Sequence, residues 1–203
     1  MEWLALVLLI PANVVPVVLL FGFAGCDLVL GLHELEPPPL EPGFTASLTN
    51  NSGQANQTIV QRIEPPRLFK SGSGIQITVR SADNNDLVIQ RLFISRVAPG
   101  GDPYDSAGDL KEVITAPVIV PQNTAMTLPE FTYALDRTQP LLVIFDIGMP
   151  GGTRFETNVK PAEAVAFVGP AGEAALMDRQ SPPAYQSFPR IFIVEKIDIR
   201  GHG

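Results

Sequence analysis

The chain divides into two parts with different patterns of apolar and polar positions. Between Trp3 and Cys26 no side chain is charged, and apolar residues continue as far as Leu32. A helix rises about 1.5 Å per residue, so a run of this length is enough to cross the roughly 30 Å hydrocarbon layer of a bilayer. The pattern predicts a hydrophobic, partly helical arm over residues 1–32.

A polar segment rich in proline and asparagine follows the arm. Four of the eight residues from Glu36 to Gly43 are proline, and the stretch from Thr49 to Asn56 is polar and turn-forming. Proline removes a backbone hydrogen-bond donor and favours extended polyproline II structure. We therefore expect residues 33–56 to form a semi-rigid tether.

From Gln57 onward the pattern has the period of two that is typical of β-strands. Ile75, Ile77 and Val79 alternate with polar residues, which predicts a strand with one buried face. Residues 141–145 are apolar on both faces, which predicts the most central strand of the domain. Further strands are expected at 87–94, 113–115, 118–120, 131–135 and 190–199.

Helical signals outside the arm are limited to residues 173–178. Several short strands separated by glycine and proline favour an antiparallel arrangement of two layers. The predicted fold class is all-β, an antiparallel β-sandwich of the jelly-roll type over residues 57–200.

Several of these strand segments also resemble a known class of domain. They are Asn56 to Gln61, Gly74 to Ser81 and Leu141 to Ile147. Over residues 44–200 the chain resembles the β-sandwich accessory domain found beside SGNH-type (GDSL) hydrolases. It is also similar to sandwich proteins carried by phages and prophages of alphaproteobacteria, through the segments 101–105 and 194–197. The resemblance implies a β-sandwich fold and brings no active site.

Charge and cysteine content narrow the classes of function. The formal net charge is −7, and no Lys or Arg precedes Arg62. Because Lys and Arg supply most of the affinity for phosphate backbones, we do not expect nucleic acid as a partner. The single cysteine, Cys26, rules out an internal disulfide framework.

Residues that would support catalysis do not occur in a usable pattern. A hydrolase of the SGNH type needs a Gly-Asp-Ser nucleophile segment and a later Asp-x-x-His, and the sequence has neither. The two histidines, His33 and His202, lie in the tether and next to the last residue, away from any rigid scaffold. One cysteine and two distant histidines do not make a tetrahedral zinc site. We therefore expect a non-enzymatic protein.

Two predicted loops carry residues suited to ligand binding. One contains Asp102, Tyr104 and Asp105, and the other contains Arg179 and Tyr185, followed by Gln186. An aromatic ring stacks on a sugar face while charged and amide groups bind its hydroxyls, so these residues are a candidate glycan site. The alternative for each tyrosine is a rim residue with its hydroxyl in water.

The same region contains a candidate metal site. Asp102, Asp105 and Asp109 lie among glycines, and flexible loops of this kind supply oxygen ligands to Ca²⁺. The alternative is a solvated loop that uses Asp and Gly for its turn geometry. Apart from this Ca²⁺ site, no cofactor is expected.

Three interpretations of the arm remain open. It is buried between protein subunits, or it is a lipoprotein signal, or it is an uncleaved membrane helix. The segment Phe23 to Cys26 resembles a lipobox, which would place two acyl chains on Cys26. A membrane helix would be interrupted by Pro11 and Pro16 and lacks the flanking cations that fix orientation.

These observations favour a structural or attachment protein. Residues 3–32 would join it to further copies of itself or to other subunits of a phage virion or an extracellular assembly, and the sandwich would contact a cell-surface glycan. The alternative is a bacterial lipoprotein, lipidated at Cys26 and facing outward from the membrane, that carries a carbohydrate-binding sandwich.

Overall fold

The structure, a computed structural model, describes residues 37–201. The predicted arm, Cys26, the first residues of the tether and His202 lie outside the described residues. Within residues 37–201 the chain is all-β, with antiparallel sheets and no α-helix. This part of the chain has no helix long and apolar enough to span a membrane.

The strands of the described residues are mostly short and follow one another closely along the chain. They are β1 (Leu40–Thr45), β2 (Asn50–Ser52), β3 (Gln57–Ile63), β4 (Gly72–Arg80), β5 (Leu87–Arg96), β6 (Lys111–Glu112), β7 (Val118–Val120), β8 (Ala125–Thr127), β9 (Phe131–Leu135), β10 (Leu141–Gly151), β11 (Thr153–Glu156), β12 (Ala164–Pro170), β13 (Gln186–Phe188), β14 (Ile191–Phe192) and β15 (Val194–Arg200).

These strands form two large sheets and one small sheet. The five-stranded sheet has the order β1-β15-β4-β8, with β9 also paired to β4. The seven-stranded sheet has the order β13-β12-β3-β10-β5-β6, with β7 also paired to β5. The small sheet has the order β14-β11-β2. Neighbours in these orders are distant in sequence, so long-range pairing determines the architecture.

Both large sheets contribute to one main hydrophobic core. Ile75, Ile77 and Val79 of β4 are fully buried in it, whereas the residues between them are partly exposed, which confirms the alternation predicted for this strand. From the seven-stranded sheet, Val143 and Phe145 enter the same core. Burial of each such side chain stabilises the fold by about 1.5–3 kcal/mol.

The central position predicted for residues 141–145 is confirmed, because β10 lies between β3 and β5. Its inward residues join the main core, and Leu142 and Ile144 face the other way into a second core. The second core also contains Tyr104 and Tyr185, from the loops 97–110 and 171–185. A strand that is apolar on both faces requires cover on both, and these two loops provide the second cover.

The folded domain begins earlier than the sequence predicts. Residues 40–45 form β1, which pairs with β15 and buries Phe44 completely, and residues 50–52 form β2. The tether predicted over 33–56 is therefore wrong for these segments. Pro42 is tolerated in β1 because β1 is an edge strand and its register shifts between Pro42 and Phe44.

Three other local predictions are also wrong. Residues 113–115 are not a strand, and residues 173–178 form non-helical turns. The strand predicted at 190–199 is interrupted at Ile193, whose φ of 64° lies in the left-handed region that β-branched residues rarely adopt. Hydrogen bonds from Ile193 N to Arg154 O (2.8 Å) and from Arg80 N to Ile193 O (2.9 Å) hold this residue where the chain passes from the small sheet to the five-stranded sheet.

Candidate functional site

The two tyrosines that the sequence predicts as sugar-binding residues lie together in the structure. The rings of Tyr104 and Tyr185 stack with a centroid distance of 4.5 Å and an interplanar angle of 22°. Their exposed fractions are only 2% and 6%, so neither ring offers a face to a sugar. Burial, together with the nearby charge of Asp102, raises the pKa of Tyr104 to about 12. The structure corrects the predicted role, since this pair belongs to the second core.

Arg179 holds the two loops against each other. Its side chain is buried, with 3% exposure of the residue, and Nη1 donates to Tyr104 O (2.6 Å) and to Ser106 Oγ (3.1 Å). Its backbone N–H donates to Asp105 Oδ1 (3.0 Å). Burial lowers the pKa of Arg179, against the opposing effect of Tyr185 and nearby carboxylates. Arg179 therefore ties loop 171–185 to loop 97–110 and does not face a binding site.

Two of the three aspartates of the predicted Ca²⁺ site, Asp105 and Asp109, direct their carboxylates at protein donors. Asp105 Oδ2 accepts the backbone N–H of Asp102 (2.8 Å). Asp109 accepts hydrogen bonds from Arg96 Nε (2.7 Å) and from the Tyr133 hydroxyl (2.8 Å). Burial raises the pKa of Asp109, but these hydrogen bonds outweigh it and lower the pKa overall. Within residues 37–201 no three His, Cys, Asp or Glu side chains are grouped to hold a metal ion, so the geometry does not support this site.

A polar cleft that the sequence does not predict lies at one edge of the seven-stranded sheet. Its volume is about 340 Å³. We call it the amide cleft, because four of its lining side chains are amides. Its lining includes Gln54, Asn56, Gln57, Pro170, Gln186 and Phe188.

Strand register explains how distant residues meet in the amide cleft. Gln57 pairs with Pro170, and two residues further along Ile59 pairs with Val168. Since Ile59 lies in the main core, Gln57 projects from the same face, beyond the end of the core. Across β12, Gln186 pairs with Val168 and therefore projects from that face as well. The edge position of β13 leaves the cleft open to solvent.

The chemistry of the amide cleft is neutral. None of the residues that line it is ionisable, so it contains no acid, base or charged nucleophile. The Oε1 atom of Gln57 is buried and has no hydrogen-bond partner among the described residues. Leaving a buried acceptor unpaired is unfavourable, so a donor on a bound molecule that reached it would stabilise the complex. The cleft is therefore suited to binding a neutral, hydrogen-bonding ligand.

Gln61, four residues further along β3, shows what a structural amide looks like in this fold. Its Nε2 donates to Val165 O (3.3 Å) and Arg190 O (3.2 Å), and its Oε1 accepts the N–H of Phe192 (2.8 Å). Gln57 lies on the same face of the same strand without such partners for its Oε1. The contrast indicates that Gln57 is directed at the cleft rather than at the fold.

The amide cleft is not predicted from the sequence, because the segments that form it were assigned to a tether and to a loop. Gln54 and Asn56 fall in the predicted tether, and Gln186 appears only as the neighbour of Tyr185. The only sequence signal for the cleft is the group of amide residues that precedes and begins β3. This group does not indicate that Gln186 and Phe188 lie beside it in the fold. No protein-family model matches the chain, and no curated protein is significantly similar to it.

Proposed function

We propose that this protein is a non-enzymatic attachment protein whose β-domain binds a neutral sugar in the amide cleft. The observation that carries the proposal is the uncharged lining of the cleft around the buried, unpaired Oε1 of Gln57. We further propose that the two large sheets form a β-sandwich of the jelly-roll type, which places this cleft at the open edge formed by β13.

The hydrogen-bonding capacity of the lining supports a sugar as the ligand. Each amide side chain both donates and accepts, as each sugar hydroxyl does, so the two groups pair in several orientations. A volume of about 340 Å³ lies in the range of small-molecule sites and would hold one or two sugar rings.

An aromatic side chain completes the expected sugar site. Phe188 lines the cleft, and its ring is held in place by an edge contact with Phe192 at 6.5 Å between centroids. The guanidinium of Arg190 lies 5.7 Å from the same ring centroid. A fixed ring of this kind stacks against the C–H face of a sugar while the amides bind its hydroxyls.

Replacing Gln57 with leucine is expected to weaken binding of a neutral oligosaccharide about tenfold or more. The substitution removes one buried hydrogen bond to the ligand, and about 1.4 kcal/mol corresponds to a factor of ten. A glycan array with the wild-type domain identifies the ligand, and isothermal titration calorimetry then compares the variants.

The matched control is Gln76→Leu, since Gln76 is a half-buried glutamine on β4 that does not line the cleft. This variant is expected to bind like the wild type. Failure of the wild type to bind any neutral glycan would refute the proposed function, and so would equal losses in both variants.

In this proposal the apolar residues 3–32 anchor the domain to other subunits of a virion or an extracellular assembly. No Lys or Arg lies between the arm and Arg62, which is easier to reconcile with a protein groove than with membrane insertion. The alternative is a lipoprotein, favoured by the segment Phe23 to Cys26, that faces outward from a bacterial membrane.

The mass of the protein produced in a bacterial host distinguishes the two forms of anchoring. The assembly proposal predicts the mass of all 203 residues and a defined oligomer in the absence of detergent. The lipoprotein alternative predicts loss of the residues before Cys26, a mass increase from acyl chains and partition into detergent. In that case Cys26→Ser would abolish lipid labelling, and the assembly proposal would fail.

A further inference from the structure

Two further cavities adjoin Arg96 at the end of β5, and one of them is also lined by β9 of the five-stranded sheet. In the seven-stranded sheet, β10 separates β5 from β3 and the amide cleft. One cavity, of about 340 Å³, is lined by Arg96, Lys111 and Thr132, and the other, of about 390 Å³, is lined by Arg96 and Gln139. We call them together the Arg96 groove, because this side chain lies between them.

The guanidinium of Arg96 is held in a fixed orientation by a chain of hydrogen bonds. Its Nε donates to Asp109 Oδ2 (2.7 Å), and the same oxygen accepts from the buried Tyr133 hydroxyl (2.8 Å). Asp109 Oδ1 accepts from Ser95 Oγ (2.9 Å). The side chain of Arg96 is nevertheless 54% exposed. Asp109 engages Nε, and the terminal Nη1 and Nη2 groups make no hydrogen bond among the described residues, so they remain as donors for a ligand.

The charges around the groove leave a single net positive charge. Arg96 and Lys111 are the cations that line it, and Asp109 is the carboxylate. Glu112 pairs with Phe93, which belongs to the second core, so its side chain projects from the opposite face of the sheet.

The turn at residues 136–139 does not change the net charge of the Arg96 groove. Asp136 interacts with Arg96, and the adjacent Arg137 carries a formal charge equal and opposite to that of Asp136. A monoanion therefore matches the groove better than a dianion such as phosphate.

We infer that the Arg96 groove binds the carboxylate of an acidic sugar. The planar fork of Nη1 and Nη2 matches the two oxygens of a carboxylate, and a guanidinium held by a second carboxylate requires little further ordering. Lys111 adds a second positive charge, and Thr132 and Gln139 offer a hydroxyl and an amide to the sugar hydroxyls. This site is independent of the amide cleft and of its proposed neutral ligand.

Titration with an oligogalacturonate tests the inference, with a neutral galactose oligomer of equal length and inorganic phosphate as comparison ligands. Arg96→Gln is expected to weaken binding of the oligogalacturonate at least tenfold. Arg91→Gln removes the same charge from an exposed position on the same strand and is expected to change the affinity less than twofold.

Two further variants separate geometry from charge. Tyr133→Phe leaves every charge in place but removes one hydrogen bond that positions Asp109, so binding is expected to weaken several-fold. Arg96→Lys keeps the charge without the fork and is expected to lose about tenfold. Thermal melts identify any variant that is unfolded.

Four outcomes would overturn the inference. They are absence of oligogalacturonate binding by the wild type, equal losses in Arg96→Gln and Arg91→Gln, wild-type affinity in Arg96→Lys, and tighter binding of phosphate or of the neutral oligomer than of the oligogalacturonate.

Discussion

Replacing Arg179 with methionine is expected to lower the free energy of unfolding by about 3–5 kcal/mol, the usual range for breaking a buried network of charged and hydrogen-bonded groups. Asp105 and Glu173 are buried beside it, and methionine leaves their charges without a compensating cation. The carbonyl oxygen of Tyr104 and the hydroxyl of Ser106 also lose their guanidinium donor. Both loops that cover the second core are therefore expected to loosen together.

Urea denaturation of the variant and the wild type measures this loss. For a domain of this size it corresponds to a fall in Tm of about 10 °C. Arg137→Met is the matched control, because Arg137 is exposed on a turn, and its effect is expected to stay within about 0.5 kcal/mol. A loss below 1 kcal/mol for Arg179→Met would show that the buried network does not hold the loops.

Replacing Gln61 with leucine is expected to lower the free energy of unfolding by about 2–4 kcal/mol. Leucine is apolar and similar in size, so the main effect is the loss of hydrogen bonds by buried backbone groups. The N–H of Phe192 and the carbonyl oxygens of Val165 and Arg190 all lose their partner. Because Phe192 lies in β14, the substitution is expected to weaken the attachment of the small sheet to the seven-stranded sheet.

Hydrogen exchange provides a local test of the same substitution. The amide of Phe192 is expected to exchange faster in Gln61→Leu, while amides in the centre of β4 keep their protection relative to global unfolding. Gln76→Leu serves as the control for loss of a glutamine that is only half-buried. Unchanged exchange at Phe192 would contradict the bridging role of Gln61.

Gln57 and Gln61 show that a sequence pattern can place two residues on the same face of a strand without distinguishing their roles. Both lie on the same face of β3, so their periodicity is the same. Gln61 is enclosed by β12 and β14 and satisfies backbone groups, whereas Gln57 lies beyond the end of the core and lines a cleft. The difference depends on strands more than 100 residues away, which no local pattern identifies.

The residues predicted to bind a sugar also show that a local pattern does not determine which side chains are exposed. Tyr104, Asp105, Arg179 and Tyr185 are chemically suited to binding a sugar, and the structure does bring them together. Their burial directs that chemistry inward, because the outer face of β10 is apolar and requires cover. The residue types grouped these side chains correctly, but the predicted sugar-binding role is wrong because the packing of the loops buries them.

Local sequence patterns are sufficient to predict the all-β class and the places of the strongest strands. A strand buried on one face alternates apolar and polar residues, as β4 does, and a strand buried on both faces is apolar throughout, as β10 is over residues 141–145. Both patterns can be recognised within a short stretch of sequence. Other features are visible only in the folded domain: residues 40–52 belong to it, the paired tyrosines are buried, and an amide cleft and the Arg96 groove are present. Those features depend on which distant strands pair, and a polar side chain becomes structural or functional only through the partners that this pairing places around it.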